Sequence, residues 1–506
     1  MTAAKPIWDK LKALPRPDLA DLFADGKARV SALADTMTID DAEIRFDWSK
    51  THLDDAHVAA FGELAAAMDF AGMRDKLLSG DVVNPTEGRA AEHTAQRGIG
   101  ADTSVEEAEA LHRRMAMLVG AIRDGALGEI HHCIHVGIGG SALGPALALA
   151  ALDGEGADID VHVVSNIDGN AMAAAMKACD PSKTLIAIAS KTFTTTETMT
   201  NATSAIRWLE SESVEDPYGR VVALTASPEE AVEWGVDETR VLPFPESVGG
   251  RYSLWSSIGF PVALAYGWNA FAEMLDGAAA MDAHFRDTDG IANLPLRAAF
   301  ADLIYAQLRD CQTRAVFAYD ERLALMPDYL QQLEMESNGK SVTADGEPLM
   351  RSSAPITWGG TGTDAQHAVF QLLHQGTNVV PVDFIAVTEP GHDLDPAHHR
   401  ILLTNCFAQG AALMRGAKSD DPARTYPGNR PSATILLEAL TPATLGALIA
   451  FHEHRTFASA VLIGINPFDQ FGVELGKSIA KEIESGEGEG FDASTEALLA
   501  AAGLRG

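Results

Sequence analysis

Thr184-Leu185-Ile186-Ala187-Ile188-Ala189, followed directly by Ser190-Lys191-Thr192-Phe193-Thr194-Thr195-Thr196-Glu197-Thr198, decides the fold class of this 506-residue chain. The residues before Ser190 form a short apolar run, the pattern of a strand buried on both faces of a parallel sheet. Thr200 to Leu209 then reads as the first part of a helix. Several hydroxyls and one lysine therefore sit at a strand-to-helix turn, where unpaired backbone N–H groups and the helix dipole favour an anion. Hydroxyls donate to phosphate oxygens without burying several charges, and Lys191 adds one point charge. The other reading is a threonine run used for capping and side-chain turns. The density of donors directly after a buried strand favours the anion.

Working outward, the same strand-then-helix alternation recurs from about residue 128. His131 to Val136 reads as a strand and Ala142 to Leu152 as the helix after it. Val161 to Val164, Leu185 to Ala189 and Val221 to Leu224 continue the series. A second series comprises Ala315 to Tyr319, Phe384 to Val387 and Thr434 to Leu437, with long helical patterns such as Asn293 to Asp310 between. Such alternation predicts right-handed βαβ units, hence an α/β fold of two domains of similar design, each a parallel sheet covered by helices. Before residue 110 the apolar spacing of Leu11 to Met37 and His57 to Leu78 predicts helices. The acidic, Gly-rich stretch Glu484 to Gly490 reads as a flexible arm before a last short helix.

Composition narrows the function classes. With 46% hydrophobic and 22% charged residues the chain is ordinary for a globular protein, but 71 acidic against 38 basic residues give a net charge of -33. That balance argues against nucleic-acid and anionic-membrane binding, which need basic patches. It also requires any phosphate site to be built locally, against the overall field. Cys133, Cys179, Cys311 and Cys406 have no paired spacing and read as free thiols of a reducing compartment. Met1 to Asp9 carries no apolar leader, so a cytoplasmic location is expected.

Five further constellations carry chemistry. Gly137-Ile138-Gly139-Gly140-Ser141-Ala142 also follows an apolar run and fits G-x-G-x-x-A, so a dinucleotide is one reading. The next strand ends in Ser165-Asn166, without an acidic residue at the strand end to hold a ribose, although Asp168 lies close. The alternative has Gly139 and Gly140 admit a compact phosphorylated ligand that Ser141 contacts, so that both turns face one crevice. Met335-Glu336-Ser337-Asn338-Gly339 ends a helix, which puts Glu336 at the negative end of the dipole. With Glu334 near it, if both point the same way, a carboxyl there would be tuned towards a general base; an ordinary solvated glutamate is the alternative. Gly249-Gly250-Arg251 sets an arginine after a flexible pair, placed to reach a ligand or a developing oxyanion. Gln366-His367 opens a helix running to His374, with both histidines on one face. In Gln470, Glu474 and Lys477 a shared helical face or a simple ion pair is expected. His392, His398, His399, His452 and His454 fall in no metal-ligand spacing and read as surface or structural.

Together these segments resemble the glucose-6-phosphate isomerase (phosphoglucose isomerase) family, from Asn84-Pro85-Thr86-Glu87-Gly88-Arg89 to Lys477. Gly250-Arg251-Tyr252-Ser253-Leu254-Trp255-Ser256 and Phe468 to Lys477 are similar to the two family signatures. The resemblance implies two sugar-isomerase (SIS) domains, each a three-layer αβα parallel-sheet domain. It divides the chain into a helical N-terminal segment 1–109 packing with the large domain, a small domain 110–265 with the phosphate cradle, a large domain 266–480 and a C-terminal arm 481–506. Ser190, Lys191, Thr192 and Thr195 correspond to the cradle, with Gly140 and Ser141 beside it. Glu336 matches the base moving a proton between C2 and C1, and His367 the ring-opening histidine, contributed across a homodimer interface. Arg251 matches the residue stabilising the enediolate. Lys477 and Gln470 match positions near the ring oxygen and hydroxyls, and Gln332 a substrate-binding position. No metal or organic cofactor is implied, and neither is a nucleic-acid or membrane partner.

Two departures stand out. Trp358-Gly359-Gly360-Thr361-Gly362-Thr363-Asp364 replaces the family's usual Gly-Glu-Pro-Gly-Thr-Asn before the histidine, and Ser341 stands where an aromatic is usual. The implied reaction is reversible aldose–ketose isomerisation of glucose 6-phosphate and fructose 6-phosphate. Competing readings are a broader phosphoglucose/phosphomannose isomerase, a non-catalytic sugar-phosphate sensor and a nicotinamide dehydrogenase. The joint presence of Glu336, His367, Arg251 and Lys477 argues against the sensor.

Overall fold

The computed structural model describes residues 4–153, 156–485 and 490–504. They divide into two compact units, Met1–Pro467 and Phe468–Gly506. The strands among the described residues are β1 (Ala34–Ile39), β2 (Ala42–Asp47), β3 (His132–Gly137), β4 (Asp160–Val164), β5 (Thr184–Ala189), β6 (Val221–Thr225), β7 (Val241–Pro243), β8 (Thr313–Tyr319), β9 (Ile356–Thr361), β10 (Val382–Val387) and β11 (Ser432–Leu437). Every apolar run read as a strand forms one.

The smaller sheet has the order β4-β3-β5-β6-β7 and is parallel throughout. The larger has the order β1-β2-β11-β10-β8-β9. Its β11-β10-β8-β9 part is parallel, and β1 and β2 extend it as an antiparallel hairpin on β11. The hairpin corrects the helical reading of Leu11 to Met37. Pro15 and Pro17 separate the helix Lys5–Ala13 from short helices at Leu19–Leu22 and Gly26–Leu33, and strand pairing begins at Ala34. In β2, Ile44 and Phe46 are buried while Glu43 is exposed, a period of two that packs a sheet face. Asp40 takes the positive φ of 53° that the tight turn needs. The second expected helical stretch, His57 to Leu78, is two helices, Asp55–Ala67 and Phe70–Ser79, broken where Asp69 adopts φ 52°.

The centre of the first unit is the helix Pro442–Ile463, buried along its whole length and packed on the helix Trp268–Asp287. Two glycines permit that contact. A Cβ on Gly277 would lie 1.8 Å from the Ala443 carbonyl oxygen, and one on Gly446 would lie 1.9 Å from that of Met274. The buried charges at this contact are paired, as burial requires. Arg97 donates to both Asp282 oxygens at 2.8 and 2.7 Å and to Glu453 at 2.5 Å. His454 lies 2.6 Å from Asp282, and the ring nitrogens of His452 are buried without a hydrogen-bond partner among the described residues. Both histidines lie buried within this helix contact.

The second unit, taken by itself, has a 3₁₀ turn at Phe471–Val473 and helices at Glu474–Ser485 and Ala493–Ala501. Asp492 caps the last helix by accepting from the Ser494 and Thr495 amides at 3.0 and 3.2 Å. Within the arm expected at Glu484 to Gly490, residues 486–489 lie outside the described residues.

Candidate active site

In the smaller sheet the chain leaves β3 in one direction for β4 and returns past β3 to form β5, so the topological switch lies between β3 and β5. Ligands of open α/β sheets bind beyond the carboxyl ends of the strands at such a point. Gly137 at the end of β3 pairs with Ala189 at the end of β5, so the two turns picked out in the sequence start side by side.

The first turn is a 3₁₀ turn at Gly139–Ser141 before the helix Leu143–Ala151. A Cβ on Gly140 would lie 2.1 Å from the carbonyl carbon and oxygen of Gly250. Gly140 thus admits another part of its own chain, the turn Gly250–Trp255, where both the dinucleotide and the compact-ligand readings have it admit a ligand. Ser253 Oγ, which donates to the Gly250 oxygen at 2.7 Å within that turn, also lies 3.4 Å from the Gly140 oxygen across the contact.

In the second turn the Ser190 amide donates to the Leu224 oxygen at 3.1 Å, and Ser190 Oγ lies 3.1 Å from Thr195 Oγ1. Phe193 holds a φ of 54° with its ring buried edge-on to Trp234. The helix Thr196–Ser211 begins at Thr195 without a side-chain cap. The capping reading of this threonine run therefore fails at its critical position, because Thr195 turns its hydroxyl to Ser190 and leaves the first helical amides open to an anion. Lys191 Nζ donates to the Glu246 oxygen at 2.6 Å, beside Arg89, which donates to the same oxygen. Burial, and then repulsion from Arg89, lower the Lys191 ammonium to about 8. Lys191 is thereby laid along residues 246–248, the chain that leads into Gly249-Gly250-Arg251.

Arg251 extends from that loop to the end of a second element. Residues Met326–Leu330 are α-helical, and Gln331–Glu336 continues as a π-helical turn. Arg251 is buried; its Nε donates to Ser337 Oγ at 2.7 Å, its Nη2 to the Pro467 oxygen at 2.5 Å, and its Nη1 lies 3.5 Å from Glu336 Oε2. Tyr252 OH lies 3.0 Å from Ser337 Oγ, and its ring stacks on His93. Gln332 comes from the same π-turn to Gly139: a Cβ there would lie 3.0 Å from Gln332 Nε2. Glu334 does not share the direction of Glu336. Its carboxylate is paired with Arg314 and accepts from Thr357 Oγ1 at 2.6 Å. The charge facing Glu336 is the arginine, not a second carboxylate. Hydroxyl turn, lysine, arginine and half-buried carboxylate are thus linked contact by contact through residues 246–251.

Residues 47–499 match the family model described as Phosphoglucose isomerase. The chain belongs to the phosphoglucose isomerase family. It is 72% identical over 503 residues to the glucose-6-phosphate isomerase of Novosphingobium aromaticivorans, covering 99% of each chain, and 68% identical over 509 residues to that of Erythrobacter litoralis, covering 98% of each. A crystal structure of a glucose-6-phosphate isomerase from Chlamydia trachomatis superposes with a TM-score of 0.89 at 29% identity, over 100% of this chain and 99% of that one.

Among the described contacts of this phosphoglucose isomerase family member, none joins His367 to that cluster. His367 is exposed on the helix Asp364–Ala368, which ends at Val369; His374 lies on a separate helix, Phe370–Gln375. The single-helix reading of His367 and His374 is therefore corrected: Val369, with φ -124°, breaks the helix between them. The altered stretch before His367 is largely strand. Ile356–Thr361 forms β9, where a Cβ on Gly359 would lie 1.8 Å from the Val316 oxygen. Gln470 and Lys477 belong to the C-terminal unit. Gln470, with φ -150°, precedes the helix that starts at Glu474, so it shares no helical face with Glu474 and Lys477. Arg89, Ser337 and Tyr252 escaped the chemical reading of the sequence. Arg89 was visible only as the end of a family-like segment, and nothing local marks a serine as the partner of an arginine 86 positions away.

Proposed function

We propose that the chain interconverts D-glucose 6-phosphate and D-fructose 6-phosphate by ring opening and proton transfer through a cis-enediolate. The observation that carries the proposal is the 3.5 Å approach of Arg251 to Glu336 on a loop that also holds Lys191 of the anion turn. Ser190, Lys191, Thr192 and Thr195, with Ser141 alongside, hold the 6-phosphate, while Gly140 seats the loop that carries Arg251; binding energy from the remote phosphate positions C1 and C2. The Glu336 carboxylate takes the C2 proton of the open aldose, leaving an enediolate whose charge Arg251 faces. The same carboxyl returns the proton to C1 while the O2 hydroxyl proton passes to O1, which leaves the carbonyl at C2; the other direction retraces these steps. His367, exposed on its own chain, opens the ring from the partner subunit of a homodimer. Lys477 and Gln470 act near the ring oxygen, and Gln332 near the hydroxyls.

The two sheets support the division into a small domain 110–265 and a large domain 266–480, with 1–109 packed on the large one and 481–506 as an arm. A cytoplasmic location is supported by four buried free thiols. No described helix is long and apolar enough to cross a membrane. The net charge of -33 supports a protein without a nucleic-acid partner.

The direct test supplies fructose 6-phosphate and follows glucose 6-phosphate through a coupled dehydrogenase, with mannose 6-phosphate in a parallel assay. Turnover of fructose 6-phosphate well above mannose 6-phosphate is expected; none at all overturns the proposal. Lys191 adds a pH signature. Its cation is present below about pH 8 and lost above it, so kcat/KM should fall as pH rises through that value. Lys191→Met should flatten this alkaline limb and raise KM about tenfold, the scale of a lost charge-assisted hydrogen bond. An unchanged limb in that variant would remove Lys191 as an anion ligand.

A further inference from the structure

At the opposite end of the smaller sheet, β3 and β4 carry histidines where their alternation calls for apolar side chains. Ile134, Val136, Val164, Ile186 and Ile188 pack with Met172, Ala175 and Cys179 into the core on one face of the sheet. His132 shares that face with Ile134 and Val136, two and four residues on. Ile134 pairs with His162 across the ladder, so His162 lies on the same face, diagonal to His132. Cys179 closes the group from the end of the helix Gly169–Ala178. One ligand atom from each of His132, His162 and Cys179 lies within 4.8 Å of the others.

A core position given to histidine needs a partner for the ring nitrogens, because a buried polar atom left unpaired is costly. Here that partner is missing. His132 Nδ1 and His162 Nε2 are both shut off from solvent and have no hydrogen-bond partner among the described residues. The His132 side chain is only 18% exposed. The Asp160 carboxylate, itself largely exposed, stands 3.8 Å from His132 Nδ1 at the rim of the group.

We propose that His132, His162 and Cys179 form a zinc site that ties the end of the helix Gly169–Ala178 to β3 and β4, separate from the isomerase chemistry. Two imidazoles and a thiol are the ligand set that selects zinc over the hard oxygen-seeking cations magnesium and calcium. Tetrahedral zinc, with ligands at about 2.1–2.3 Å, holds them about 3.5 Å from one another, so the three side chains close by about an ångström on binding. Asp160 or a water supplies the fourth ligand. Burial pushes the Cys179 thiol up to about 11; the bound cation displaces that proton to solvent and takes the thiolate. The group lies five residues along β3 from Gly137, about 17 Å from the candidate active site at the rise of a strand, so the metal acts on stability through binding to the folded state.

The test strips the full-length protein with a chelator and titrates it with Co²⁺, whose thiolate complexes absorb in the near ultraviolet. A thiolate-to-cobalt band saturating at one equivalent per chain and bleached by Zn²⁺ but not by Mg²⁺ is expected. Cys179→Ser should abolish the band, His162→Val should weaken binding at least about tenfold, and His131→Gln, which alters the exposed neighbour, should leave it intact. Zn²⁺ should raise the melting temperature of the parent and not of His162→Val. Isomerase turnover without metal should stay within about twofold of the parent in all three variants, which reports that they fold. No band in the parent, or a band that survives Cys179→Ser, overturns the site.

Discussion

Glu336→Gln is expected to lower kcat by roughly a thousandfold, within the range that general acid–base groups contribute, or about 4 kcal/mol of barrier. The amide keeps the size and the hydrogen-bonding oxygen of the carboxylate, so Arg251 Nη1, 3.5 Å from Oε2, retains an acceptor. What is lost is the capacity to take a proton from carbon. The anion turn at Ser190 to Thr195 makes no described contact with Glu336, so affinity for a hexitol 6-phosphate, which has the phosphate but no carbonyl, should change by less than about threefold, within the context-dependence of a neutral substitution. Turnover would be followed with the coupled assay and affinity by competitive inhibition. Exchange of the C2 hydrogen with deuterated solvent should vanish with turnover. A variant within tenfold of the parent kcat would remove Glu336 as the base.

How much of this was legible in the sequence depends on whether a feature is local. The buried strands β3, β5, β6, β8 and β10 announce themselves as apolar runs because both faces of each are covered by helices. β1 and β2 do not: Asp35, Thr36, Thr38 and Glu43 face outward, and their alternation is broken by two aspartates at the turn. β7 is only Val241–Pro243, and β9 is masked by the glycines its close packing needs. At the site, the anion turn was legible because strand, hydroxyls and helix are contiguous. The environment of Glu336 was not. Residues two apart on a helical turn point to nearly opposite sides, which sends Glu334 to Arg314 and leaves Glu336 to Arg251, a partner supplied by a distant loop. The same reason hid the His132–His162–Cys179 group, whose members come from two strands and the end of a helix.

Arg251→Lys is the second large effect, expected to lower kcat/KM by about 10²–10³, the loss typical of removing one preorganised donor to a developing oxyanion. The guanidinium reaches three directions at once: Nε to Ser337 Oγ at 2.7 Å, Nη2 to the Pro467 oxygen at 2.5 Å and Nη1 towards Glu336. An ammonium has the charge but not the planar fork, so it can satisfy the serine or the carbonyl and no longer face the carboxylate from the same place. Lysine is preferred over alanine because it keeps a cation in a buried site and limits the structural cost of unpaired groups. If Arg251 acts on the enediolate, the loss falls on kcat with KM nearly unchanged, since the charge it faces exists only after the proton has left C2. The urea midpoint should be measured alongside, to separate this from unfolding, and should remain a single cooperative transition. A raised KM with an undiminished kcat would instead make Arg251 a ground-state ligand, and the enediolate role would fall.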